Sequence, residues 1–165
     1  MWVTGIIILI SLGMSECSCP TGLVQISECC YYFSADFSLT DTWDGARTHC
    51  QELGKMFGVI MDLAEVGMDD SCCNDLKLME TIGSRNTHYV WFGASDQESE
   101  GSWVWQHSGK ALSLSNSLWR KDTPAAAGSN NYNCLVTELT GNNRVHFFDT
   151  GCSQDTIHYV CQIFD

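Results

Sequence analysis

Cysteine dominates the reactive side chains of this chain: ten in 165 residues, at Cys17, Cys19, Cys29, Cys30, Cys50, Cys72, Cys73, Cys134, Cys152 and Cys161. Thiols at this density cross-link, hold a metal, or act as nucleophiles. A tetrahedral zinc site needs His and Cys in short paired spacings, and no His-Cys cluster here has them. Two pairs have the look of a nucleophile with its base, His49-Cys50 and His158-x-x-Cys161. Neither comes with a Gly-x-Ser-x-Gly elbow or a phosphate-binding loop, so no enzyme is expected. Cross-linking is the expected chemistry, and it belongs to an oxidising compartment.

The N-terminus agrees with that compartment. Met1 to Ser15 contains no charged side chain and carries the apolar run Ile6 to Leu12. The run is shorter than the roughly 20 residues that span a bilayer and suits a signal peptide. Gly13 and Ser15 place cleavage after Ser15, giving a signal peptide over 1–15 and one domain over 16–165, with every cysteine on the mature side. The expected product is secreted and extracellular. Twenty acidic residues against eight basic ones give a net charge of −12. Nucleic acid is excluded, because neutralising phosphates needs clustered Lys and Arg. There is no Asn-x-Ser/Thr sequon for an N-linked glycan.

The elements that must position these groups follow from local pattern. Cys19 to Cys30, running into Tyr31-Tyr32-Phe33, reads as a hairpin. Trp43, Ala46, Cys50 and Leu53 fall on one helical face, with Thr40 to Thr42 as cap and Gly54 as stop. A second helix is expected from about Asp69 to Ile82, on a stripe of Cys72, Leu76, Met79 and Ile82. Tyr89 to Gly93 and Gly101 to Trp105 read as strands. Gln106 to Asn131 is rich in Ser, Ala, Gly and Asn without periodicity, and a long loop in a small domain usually carries function. Strands at Cys134 to Leu139, Arg144 to Asp149 and His158 to Ile163 complete an α+β pattern: two helices and a mostly antiparallel sheet with a long loop.

Several pieces, taken in order, resemble the C-type lectin-like family. They are Cys19-Pro20 then Cys30-Tyr31, a helix holding Cys50, Val90-Trp91-Phe92-Gly93-Ala94 where the family has Trp-Ile-Gly-Leu, Glu100-Gly101-Ser102-Trp103-Val104-Trp105, and then Cys134, Cys152 and Cys161. The match runs from Cys19 to about Gln162. The resemblance implies a disulfide-stapled C-type lectin-like fold, with bridges Cys50–Cys161, Cys134–Cys152 and Cys19–Cys30, the last marking the long form. Cys17, Cys29, Cys72 and Cys73 are then left. A Cys72–Cys73 bridge between neighbours would be strained, so Cys17 and Cys29 each pair with one of those two, or Cys17 joins a second chain in a disulfide-linked dimer. Cys29 and Cys30 can also exchange roles.

In sugar-binding members of that family a Ca²⁺ is held by a Glu-Pro-Asn or Gln-Pro-Asp loop motif, an acid before the third core cysteine, and an Asn-Asp pair. Ca²⁺ takes six to eight oxygens, which are shared with sugar hydroxyls. Here those positions read Thr123-Pro124-Ala125, Tyr132, and Phe148-Asp149. A hydroxyl, a methyl and two rings replace the ligands, and only Asp149 keeps its carboxylate, so any Ca²⁺ should bind weakly. An auxiliary family site matches Asp96 and Glu100, with Asn133 able to add an amide oxygen. Tyr132, Phe148 and Trp119 offer rings for stacking, Trp119 also suiting a loop anchor, and Asn130, Asn131 and Asn133 offer amides. The resemblance therefore implies a lectin of the soluble invertebrate single-domain type, binding glycans or microbial surfaces in innate immunity through a degenerate calcium site. The alternative is a C-type lectin-like module that binds a protein partner.

Overall fold

A computed structural model describes residues 18–66, 73, 75–85, 87–124, 131–140 and 144–164. The N-terminal hairpin is present as β1 (Val24–Ile26) and β2 (Cys29–Phe33), followed by a short 3₁₀ turn at Ser34–Phe37. Helix α1 spans Trp43–Phe57; the Thr42 hydroxyl caps it by accepting from Gly45 N at 3.1 Å. The helix does not stop at Gly54, as its sequence suggested. Gly54 is buried where a Cβ would lie 2.8 Å from Met61 N and Val59 O, so close packing, not termination, requires glycine there. The stop is Gly58, left-handed at φ 70°.

Strand β3 (Ile60–Leu63) then precedes α2 (Asp75–Gly83), β4 (Tyr89–Ser95), β5 (Val104–Trp105), β6 (Cys134–Thr140), β7 (Arg144–Thr150) and β8 (His158–Phe164). The second helix is shorter than expected and turned by one position. Leu78, Met79 and Ile82 face inward, whereas Leu76 is 79% exposed; Cys72 lies outside the described residues. The sheet order is β1-β2-β8-β4-β6-β7, with β3 also on β8 and β5 on β4. All pairs are antiparallel except β4 with β8. The last strand is thus the hub, bonded to β2, β3 and β4.

Two apolar clusters fill the domain. One holds Tyr31, Phe92, Trp105, Trp119 and Phe147 with the inner face of α2. The other lies under α1 around Trp43, Leu63, Trp91, Val136 and Tyr159. Two indoles under α1 find carbonyls, as buried Trp N–H groups usually do: Trp43 Nε1 donates to Phe92 O at 2.8 Å and Trp91 Nε1 to Asp41 O at 2.9 Å. Buried Asp62 on β3 is matched by Arg47 Nε at 3.0 Å, Gln51 Nε2 at 3.2 Å and Leu63 N at 2.8 Å.

The three bridges expected from the resemblance are all formed: Cys19–Cys30, Cys50–Cys161 and Cys134–Cys152. A fourth, Cys29–Cys73, settles one of the open pairings and ties the hairpin to the start of α2. Cys17 and Cys72 lie outside the described residues. Because Cys50 and Cys161 are joined to each other, neither His-Cys pair contains a thiol nucleophile; His49 Nδ1 meets the Tyr159 hydroxyl at 2.6 Å instead.

Candidate functional site

The long segment after β5 is held at both ends. Its first turn is fixed by Glu65, a buried carboxylate whose Oε1 accepts from His107 N at 3.0 Å and Ser108 N at 2.9 Å. Arg47 Nη2 adds a bond to Gln106 O at 3.2 Å. Further on, Trp119 is buried edge-on to Trp103 and Phe147, with ring centroids 5.2 and 5.9 Å away. Its N–H donates to Ser113 O at 3.1 Å. Trp119 is therefore the loop's anchor and not a stacking surface. Arg120 N donates to Phe147 O at 2.9 Å and Phe147 N to Leu118 O at 2.7 Å, so the loop runs alongside β7.

The expected loop-motif residues turn toward the protein. The Thr123 hydroxyl bonds to Arg120 O at 2.6 Å and Phe147 O at 3.2 Å, and the Thr123–Pro124 peptide is cis. Ala125 and Asn130 lie outside the described residues. On β7, Leu135 pairs with Asp149 and Val136 with Phe148. Neighbouring strand residues project from opposite faces, so Phe148 and Asp149 do not share a surface. Phe148 is half-buried, edge-on to Tyr89 at 5.8 Å and under the Arg120 guanidinium at 4.9 Å.

Asp149 belongs with the turn after β4. Asp96 is 3% exposed; its Oδ2 accepts from Gly101 N at 2.7 Å, and its backbone N–H donates to Asn133 O at 3.2 Å. Burial raises the Asp96 pKa, the Gly101 N–H opposes that, and the charges of Glu100 and Asp149 raise it further. Four of the sequence-selected residues thus come together: Asp96, Glu100, Asn133 and Asp149. Tyr132, 48% exposed, stands one residue before Asn133 beside exposed Asn131.

These residues bear unequally on a calcium ion. Around Thr123 and Phe148 they do not fit one, since among the described residues that position offers a neutral hydroxyl, a packed ring and the Arg120 cation. The turn is different. Asp96 Oδ1 and Asn133 Oδ1 are buried acceptors without a hydrogen-bond partner, and an orphaned buried oxygen is costly unless a cation or water meets it. Among the described residues no three His, Cys, Asp or Glu side chains are arranged as a metal cage. The turn therefore supplies a carboxylate and an amide oxygen, with Glu100 and Asp149 as further negative charge.

A second cluster, on the sheet face that carries Phe148, went unread in the sequence. Tyr89, Glu138 and His146 stand opposite one another across β4, β6 and β7. Arg120 Nη1 bonds Glu138 Oε2 at 3.1 Å. Strand alternation was the available signal, but it needs the register of three strands to be read.

No family model matches the chain. A perlucin-like protein of Mytilus galloprovincialis is 30% identical over 144 residues, covering 87% of this chain and 82% of that protein. C-type lectin domain family 7 member A of Bos taurus is 25% identical over 154 residues; the match covers 93% of this chain but only 54% of that longer relative. Among solved structures, the C-type lectin CEL-I from Cucumaria echinata superposes with a TM-score of 0.66 at 21% identity, covering 88% of this chain and 97% of that one. A calcium-independent type II antifreeze protein gives 0.65 at 19% identity, covering 89% and 96%.

Proposed function

The chain belongs to the C-type lectin-like family, and from that premise we propose that it is a secreted recognition protein that binds glycans, including those of microbial surfaces, through the long-loop face without calcium at the family's usual sugar position. One observation carries this: among the described residues that position offers an ion only the neutral Thr123 hydroxyl, hydrogen-bonded to Arg120 O and Phe147 O, and the Phe148 ring under the Arg120 cation. What the face presents instead is the Tyr132 ring, with exposed Asn131 beside it. Rings stack on the apolar face of a sugar, and amides exchange hydrogen bonds with its hydroxyls. Secretion is supported by four disulfides, a pattern of oxidising compartments. Among the described residues no helix is long and apolar enough to cross a membrane.

The test is glycan-array and bacterial pulldown binding with and without EDTA, for the native protein and Tyr132→Ala. Binding that survives EDTA and falls at least tenfold in the variant is expected. Binding abolished by EDTA overturns the reading, and no glycan bound at all leaves the protein-binding alternative.

A second reading concerns the cation itself. The orphaned oxygens of Asp96 and Asn133 support a weak Ca²⁺ at the turn, at the millimolar end of extracellular modules. There it would fasten the turn to β6 and take no part in sugar contact. Calorimetric titration of Ca²⁺ into the native protein and Asp96→Asn separates the outcomes: a weak isotherm lost in the variant supports the site, and an unchanged or absent one removes it.

A further inference from the structure

We propose that Tyr89, Arg120 and Glu138 form a second saccharide platform on the sheet face that carries Phe148, where the long loop crosses β7, separate from the Tyr132 surface. The register sets Tyr89, Glu138 and His146 in one row, and Trp91, Val136 and Phe148 in the next, so all six project from the same face. Trp91 and Val136 are buried beneath the α1 side of the domain. Tyr89 is not: the residue is 45% exposed, and Phe148 braces its ring edge-on at 5.8 Å and 76°. Arg120 lies over the Phe148 face at 4.9 Å and bonds Glu138 at 3.1 Å, with side chains 48% and 23% exposed.

An open ring thus sits beside a fixed pair of one cationic donor and one anionic acceptor. That combination matches a pyranose, which has an apolar C–H face and a rim of adjacent hydroxyls that both donate and accept. It does not match the other large classes of partner. A stable protein interface needs about 800 Å² on each side with an apolar centre, and here a single exposed ring is ringed by charge. An anionic lipid surface is opposed by the net charge of −12 and by Glu138. Bound to Tyr89, a sugar ring would reach Arg120 and Glu138 without any metal.

The experiment is an NMR titration of the ¹⁵N-labelled protein in EDTA with methyl mannoside, methyl galactoside and methyl N-acetylglucosaminide, each taken to tens of millimolar. At least one sugar is expected to shift the backbone amides of Tyr89, Glu138 and His146 together. Tyr89→Ala should weaken those shifts at least fivefold, Tyr89→Phe should retain them, and Arg120→Gln should fall between. Matching thermal melts show that the variants fold. Shifts confined to residues 131–135 and Asp149 overturn the platform and leave the loop reading intact; shifts at the platform alone do the reverse. The absence of shifts with all three sugars overturns the platform.

Discussion

The two long-range bridges should separate stability from recognition. Cys50–Cys161 spans 111 residues and Cys134–Cys152 spans 18. Loop-closure entropy for those lengths gives about 5 kcal/mol for the longer bridge and about 3 kcal/mol for the shorter one. Against a total of roughly 5–15 kcal/mol for a domain, losing the longer bridge leaves the native state marginal. Its two sulfurs are also fully buried, so replacing them with alanine removes core packing as well. The shorter bridge is less enclosed: Cys134 is buried but Cys152 only partly so. Cys134 follows Tyr132 by two residues and Cys152 follows Asp149 by three, so it fixes the strand ends that carry the loop face. Urea unfolding of Cys50→Ala/Cys161→Ala and Cys134→Ala/Cys152→Ala, each without reductant, should show the first pair losing about 2 kcal/mol more than the second. Glycan binding measured where both remain folded should be weaker in the second pair. A larger stability loss in the Cys134/Cys152 variant would refute the loop-length reasoning. Unaltered binding in that variant would refute the placement of the recognition surface.

Other outcomes follow from single contacts. Gly93→Ala would set a Cβ 2.7 Å from Leu63 O, against backbone that cannot swing aside, and should cost about 1–3 kcal/mol in thermal or chemical unfolding. Glu65→Ala strips the acceptor from His107 N and Ser108 N; about 1–3 kcal/mol per orphaned group is expected, read as faster hydrogen exchange at those two amides. With Cys29 joined to Cys73, the remaining thiols are Cys17 and Cys72; peptide mapping without reduction should return them linked to each other, and a reducible dimer on gels would instead place Cys17 in a second chain.

Much of the fold was legible because its signals were local. The hairpin is written in β-branched and aromatic residues around a turn, and α1 in the Thr42 cap and the Trp43-Ala46-Cys50 stripe. Strand β3 escaped notice because Ile60-Met61-Asp62-Leu63 places an acid at a buried position, which breaks the apolar pattern. Asp62 is tolerated only because Arg47 and Gln51, far back in the chain, meet it. The phase of α2 was misread by one position, exposing Leu76 and burying Leu78, since the helix begins at Asp75, close behind the Cys29–Cys73 bridge. At the site, Asp96, Glu100 and Tyr132 were marked by the family resemblance. The direction of Phe148 was not, because it depends on which strand lies beside β7, whereas Trp119 took the loop-anchor role that its sequence position suited.

The position of β8 has a consequence for how the protein is made. The element that bonds β2, β3 and β4 and carries the partner of Cys50 is synthesised after all of them. Until it emerges, nothing joins β2, β3 and β4 into one sheet, and pairings this distant in sequence form slowly. Throughout that interval the Cys50 thiol waits among cysteines synthesised before its own partner. Biosynthesis therefore favours early, wrong bridges that later exchange must undo, and yield in a heterologous host should depend on disulfide isomerase more than on the rate of oxidation.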